Sequence, residues 1–316
     1  MNAIVCTLFE NHHHYGLGAL TNSLYRSGFR GSIFAGYRGK LPPWSINAKQ
    51  NLLLNWEGAN TYEVAAGLVI HFLPVDTTYH FTNFKPNFML QVLEGPAKHA
   101  EAIAYFDPDI TIKCKWQFFE SWMAHGVALV HDGLFNDMPP THPKRKIWEN
   151  VIHDCNRKVT RNLYSYINGG FCGVLRSNDE FLRLWIEIFD RAVKEGNVTP
   201  EKWRHSPDPN YMFFSQDQDL LNITAMCCES PISEIGPEAM DFLPGGFIMA
   251  HSIGYLKPWT KRFVRLAFKG RAPSSADKIY WRNVEAPVSL FSKSYIKRKR
   301  LSLTIASFIG RLYRRT

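Results

Sequence analysis

Apolar residues along this chain gather in short runs divided by polar, glycine-bearing stretches, the rhythm of buried strands alternating with helices. Residues 3–9 form a continuous apolar run rich in β-formers, followed by polar residues 10–14. Residues 16–27 then place Leu17, Leu20 and Leu24 at helical spacing, and 32–35 follow Gly28 and Gly31 as a second strand. The pattern recurs, predicting strands at 67–73, 102–106 and 127–130 and a helix at 86–93. The strongest predicted helix is 178–194. Ser177 and Glu180 have capping-box spacing, Phe181, Trp185, Ile188, Phe189 and Ala192 share one face, and Gly196 ends it. Residues 139–143 and 206–209 read as loops and 270–276 as a linker. We expect one α/β domain with a mostly parallel central sheet over residues 1–265, a linker over 266–288 and a separate tail over 289–316.

Charge changes this picture at one place. The 316 residues carry a net charge of +9. Eight bases (Lys293, Lys297, Arg298, Lys299, Arg300, Arg311, Arg314 and Arg315) and no acid lie beyond residue 288, so the body is nearly neutral. A nucleic-acid-binding domain would carry its positive charge on the folded body, and no nucleic-acid partner is expected. Within the tail, Leu301, Ile305, Phe308 and Leu312 follow i, i+4, i+7, i+11. A basic amphipathic helix of this kind suits the headgroup region of an anionic membrane; docking against the body, a partner interface and RNA binding are the alternatives. The six cysteines include no C-x-x-C, which excludes zinc-ribbon spacing and favours a reducing compartment. With no basic N-terminal region and no run of 18 apolar residues, neither a signal peptide nor a membrane-spanning helix is predicted. The expected location is cytoplasmic, peripheral on the inner face of a membrane.

Candidate chemistry sits where predicted strands end. Asp107 and Asp109, i and i+2 after the run 102–106, can converge on one cation at the carboxyl edge of the sheet; Asp-Pro-Asp is equally common in turns. His251 ends a second apolar run, with Gly254 and Lys257 after it. Imidazole suits Mn²⁺, glycine admits a phosphate to the backbone, and lysine supplies a counter-charge. A core histidine with a surface lysine is the plainer reading. Asn168-Gly169-Gly170 permits close approach of a ligand or forms an ordinary turn or bulge, and Asp217-Gln218-Asp219 fits a helix start. His12-His13-His14 resembles a chelating tract, but adjacent side chains do not readily face one ion. Trp116, Trp122, Trp148, Trp203 and Trp281 are open as sugar platforms, while Trp185 belongs to the core by helical phase.

Order and spacing together resemble the metal-dependent nucleotide-sugar glycosyltransferases of the GT-A fold, most closely glycosyltransferase family 8. Asp107-Pro-Asp109 resembles its D-x-D motif, Asn168-Gly-Gly its N-[AG]-G segment and Asp217-Gln218-Asp219 its D-Q-D. His251-x-x-Gly254-x-x-Lys257-Pro-Trp259 matches H-x-x-G-x-x-K-P-W at every named position. The resemblance implies Mn²⁺ or Mg²⁺ held by Asp107, Asp109 and His251, with Gly254 and Lys257 on the diphosphate. It implies donor-sugar contacts from Asn168, Gly169, Asp217 and Gln218, with Gln218 and Asp217 carrying catalysis, and Asp132 as a further contact. Thr7, Phe9 and Tyr15 would bracket the nucleobase and Lys85 would approach sugar or phosphates. Residues 10–14 and 86–101 are longer than the family pattern. The implied activity is transfer of a sugar, with retention, from a nucleoside-diphosphate (UDP) donor to a glycan or lipid-linked saccharide. A non-catalytic nucleotide-sugar or glycan-binding protein of the same fold is the alternative. A sugar nucleotidyltransferase would need a glycine-rich basic first loop, which residues 10–14 do not supply.

Overall fold

The computed structural model describes residues 1–133 and 137–312. Its frame is a nine-stranded sheet made from β1 (Ala3–Glu10), β2 (Gly31–Arg38), β3 (Lys49–Gln50), β4 (Asn60–Ala65), β5 (Leu68–Pro74), β6 (Ala102–Phe106), β8 (Val127–His131), β9 (Ile167–Leu175) and β10 (Ile232–Ile235). The strand order is β10-β8-β9-β6-β1-β2-β5-β4-β3. Only β4 and β9 run against the other strands, so the sheet is mostly parallel, as its apolar runs predict. Two short strands outside it, β7 (Ile110–Ile112) and β11 (Met249–His251), pair antiparallel.

Helices cover both faces, which is why β1, β6 and β9 are apolar on both sides. On one face α1 (His14–Arg26) and α3 (Gln117–Ala124) pack with the β7/β11 pair. On the other lie α2 (Lys85–Glu94), α4 (Pro143–Asp154), α5 (Glu180–Lys194) and α6 (Gln216–Cys227). The apolar face predicted for α5 is buried as expected, and Gly196 follows it at φ +72°. The capping box does not form. A 3₁₀ turn over Arg176–Asn178 leads into the helix, placing Ser177 inside that turn, and Asp179 becomes the residue before α5.

The C-terminal quarter departs most from expectation. Residues 266–288 are no extended linker: after α7 (Phe263–Ala267) they carry α8 (Ser275–Arg282), capped reciprocally by Ser274 and Asp277. Tyr280 and Trp281 are buried there, and α1 holds the stretch that follows. The Asn22 amide donates to the carbonyls of Asn283 and Val288 at 2.8 Å each and accepts from the Val288 N–H at 2.7 Å. Nor is the tail detached. Helix α9 (Lys293–Leu312) places Ile296, Leu303 and Ala306 in a third core with Phe263, Trp281 and Val284. The stripe Leu301, Ile305, Phe308 and Leu312 stays exposed. Arg314 and Arg315 lie outside the described residues.

Docking of α9 therefore has a measurable signature. Leu303→Ala is expected to cost about 2–4 kcal/mol in urea unfolding, the usual cost of emptying a buried leucine site. Leu301→Ala is expected to cost less than about 1 kcal/mol. Equal costs would show that the helix is not held on this face.

Candidate active site

The site is built where the large sheet meets the small one. After β6 the chain turns through Asp107-Pro108-Asp109 into β7, and β11 pairs with β7 so that His251 lies opposite Ile110. The Asp107 N–H donates to the Gly170 carbonyl of β9 at 2.8 Å, and the Ser252 N–H donates to the Asp109 carbonyl at 3.1 Å. These backbone bonds bring the two acids and the histidine together. Their ligand atoms all lie within 4.8 Å of one another. His251 Nε2 is 3.3 Å from Asp109 Oδ1 and 3.7 Å from Asp107 Oδ2. Two glycines allow this approach. A Cβ on Gly170 would lie 2.5 Å from the His251 ring, and one on Gly16 of α1 would lie 2.3 Å from the Pro108 carbonyl oxygen.

Two lysines face these carboxylates. Lys257 Nζ sits 2.5 Å from Asp109 Oδ2. Burial opposes ionisation of Asp109, but Lys257 and His251 outweigh it and hold the carboxyl well below its ordinary range. Lys85, 2% exposed at the start of α2, donates to the Gly169 carbonyl at 2.8 Å and reaches Asp217 at 3.1 Å and Asp107 at 3.3 Å. Burial by itself lowers the pKa of this ammonium; Asp107 and Asp217 together outweigh it and raise it. Asp217 is itself raised, by burial first and then by Asp107, against the opposing pull of Lys85.

A polar network across β9 and α6 completes the arrangement. The Asn168 amide donates to Asp132 at 2.7 Å and to Gln218 Oε1 at 2.9 Å, and the Gly169 N–H donates to the same Gln218 oxygen at 3.1 Å. Behind them Asn222 accepts from the Ile167 N–H and donates to its carbonyl, each at 2.9 Å, locking α6 to the strand. Tyr166 donates to Asp219 at 2.7 Å, and Tyr105 donates to Asp107 at 3.0 Å. Tyr105, Tyr166 and Asn222 stand within the stretches the sequence singles out, but their partners are not readable there, because a polar side chain inside or beside an apolar run leaves no spacing signal.

Two clefts flank the acid–histidine group. One, of about 180 Å³, is bordered by Phe9, Glu10, His13, His80, Asp107, Asp109 and Lys257. Burial and the neighbouring His12 hold His13 below the usual imidazole range. The other, of about 300 Å³, is bordered by Asp132, Phe242, His251, Ser252 and Ser274. Of the residues expected around a nucleobase, Phe9 borders the first cleft. Thr7 is fully buried, with a hydroxyl that finds no partner among the described residues. Tyr15 instead stacks on Phe291 at 4.8 Å and accepts from the Tyr280 hydroxyl, so it belongs to the third core. Gly254, at φ +91°, faces open space. Trp116, Trp122, Trp148, Trp185 and Trp281 are buried and only Trp203 is half exposed, which removes the others as surface platforms.

The donor set fits a hard divalent ion: two carboxylates and an imidazole converge, with His251 Nε2 facing both acids. Gly170→Ala should push the His251 ring away and weaken Mn²⁺ binding, read by calorimetry, about tenfold or more; unchanged affinity would remove His251 from the ligand set. A second prediction concerns Asp219, which burial pushes up to about 7. The folded chain thus holds this proton more tightly than the unfolded chain, whose carboxyl titrates near about 4. The resulting stability is complete below that lower value and is lost as pH rises through about 7. Asp219→Asn should flatten the fall in Tm over this window and raise Tm at about pH 8 by a few degrees; an unaltered profile would assign the pH dependence to another group.

No family model and no curated protein sequence matches the chain. Solved structures do. WbbM, a bifunctional glycosyltransferase, aligns at 15% identity and TM-score 0.51, over 94% of this chain but 51% of its own. The galactosyltransferase LgtC, solved with donor and acceptor sugar analogues, aligns at 11% identity and TM-score 0.52 over 94% of this chain and 99% of its own. An active-site mutant of LgtC aligns similarly, with TM-score 0.51 at 10% identity. The chain therefore spans about half the length of WbbM and nearly all of LgtC, and what the likeness establishes is the fold, that of the GT-A-like glycosyltransferases.

Proposed function

We propose that this protein is a metal-dependent glycosyltransferase that moves a sugar from a nucleoside-diphosphate donor, UDP-linked, to a glycan or lipid-linked saccharide, with retention at the anomeric carbon. The observation that carries this reading is the convergence of Asp107, Asp109 and His251 beside Lys257, with Lys85, Asp217 and Gln218 across β9. Bound there, Mn²⁺ or Mg²⁺ supplies Lewis-acid charge for a departing diphosphate. Lys257 adds a counter-charge on the same side. Lys85 is shared by Asp107, Asp217 and the Gly169 carbonyl, so it fixes the spacing between the metal-binding and sugar-binding halves. Gln218, tethered by Asn168 and the Gly169 N–H, is assigned the reacting face of the sugar, with Asp217 beside it. The cleft at Phe9, Glu10 and Lys257 takes the nucleotide, and the one at Asp132, Phe242 and Ser252 takes the acceptor.

The exposed stripe of α9 and its flanking bases support peripheral binding to an anionic membrane surface, on the cytoplasmic face. Among the described residues no helix is long and apolar enough to cross a membrane.

Metal-dependent hydrolysis of UDP-sugars tests the enzymatic reading. Asp109→Ala is expected to lower it by about 10²–10³-fold or more, while a binding protein would show donor-dependent thermal stabilisation with no turnover in either form. Anomeric NMR of the transfer product should show the donor's α linkage kept; a β product would overturn retention.

A further inference from the structure

Helix α9 carries three longitudinal stripes. Ile296, Leu303 and Ala306 dock on the body. Leu301, Ile305, Phe308 and Leu312 are exposed at 60%, 42%, 62% and 70%. Each of these stands one residue after Arg300, Thr304, Ser307 and Arg311, which repeat at the same i, i+4, i+7, i+11 spacing. A polar, cationic row therefore runs alongside the apolar one, about 100° away around the helix.

That cationic row forms one wall of a groove of about 450 Å³. The opposite wall is α8, whose Lys278 and Arg282, four residues apart, face the same space. Arg300 is committed to the body: it donates to the Trp281 carbonyl at 2.9 and 3.0 Å and meets Glu285 at 2.8 Å. Lys278, Arg282 and Arg311 have no acidic partner among the described residues. Like charges brought to one groove repel, and a surface that retains them unneutralised is complementary to an anion. Guanidinium forks and the hydroxyl of Ser307 match the oxygens of a phosphate. Phe308 joins the two, bordering the groove while belonging to the exposed apolar stripe. A ligand filling this place thus has a phosphate joined directly to apolar chains.

We propose that the groove between α8 and α9 is a headgroup site for an anionic phospholipid, its phosphate held by Lys278, Arg282 and Arg311 and its acyl chains laid along Leu301, Ile305, Phe308 and Leu312. This rests on the membrane-surface reading of α9 and goes further, because it names a defined pocket and gives α8, which lies outside the basic tail, two of the three headgroup cations. Diffuse attraction of the tail to negative charge would not need α8.

The test is flotation of the full-length chain with phosphatidylcholine vesicles containing or lacking phosphatidylglycerol. Binding should require the anionic lipid. Lys278→Gln with Arg282→Gln, both exposed and outside the core, should weaken it about thirtyfold, the weight of two basic side chains at an anionic surface. Lys49→Gln with Lys98→Gln removes the same charge elsewhere on the body and should leave binding within about twofold. Equal losses from the two pairs would overturn the site while leaving membrane association standing; no flotation of the unaltered chain would overturn both. Inorganic phosphate at millimolar concentration should neither displace the protein nor raise its Tm through Lys278 and Arg282; if it does, the groove belongs to a soluble anion and the proposal falls. Donor hydrolysis in vesicle-free buffer, unaffected by the α8 pair, separates these outcomes from failure of the glycosyltransferase reading.

Discussion

The candidate site depends on an absence: residue 170 has no side chain. His251 can stand beside Asp107 and Asp109 only because its ring occupies the space that a Cβ on β9 would take. The same strand runs antiparallel between β6 and β8, two strands that point the other way. That reversed strand carries Asn168, Gly169 and Gly170 directly beneath the Asp-Pro-Asp turn. Filling the glycine would separate the histidine from the carboxylates, while removing the reversal would take away the carbonyl that anchors the Asp107 N–H.

Around this core the charges are arranged as alternating pairs. Asp109 sits between His251 and Lys257, and Lys85 between Asp107 and Asp217. Isolated burial of any of these ions would cost several kcal/mol; interleaving them offsets much of that and keeps Lys85 charged at 2% exposure. Such a lattice of charge resists collapse while leaving one side open to a cleft. Lys257 stands on the loop after β11 rather than inside a regular element, and its ammonium donates both to Asp109 and to the Ser252 carbonyl.

Much of this was legible before any coordinates. Strand ends bearing Asp107, Asp109 and His251 were readable because apolar runs break sharply into polar residues there, and the spacing from His251 to Trp259 is specific. The close packing of Lys85 with Asp217 was not readable, since 132 positions separate them and no periodicity links them. The Asn168-Gly169-Gly170 stretch of β9 reads as a ligand approach, a turn or a bulge because two glycines have poor strand propensity; their value lies in what packs against them. The surroundings of Tyr15 were unreadable for a related reason: its position after the first strand suits a nucleotide, while Phe291 and Tyr280 from the far C-terminus meet its ring and carbonyl, and no periodicity links them. The linker expectation failed because Pro, Ser and Ala at 272–276 resemble a flexible joint, whereas the buried Tyr280 and Trp281 and the amide of Asn22 make the stretch part of the body.

Helix α8 has one further geometric consequence. Ala276 borders the cleft beside His251, and Arg282 borders the groove beside α9. Lys278 borders the groove as well, only two residues after Ala276, so successive turns of one helix line both openings. A change that shifts α8 therefore displaces a wall of the cleft beside His251 and a wall of the groove together.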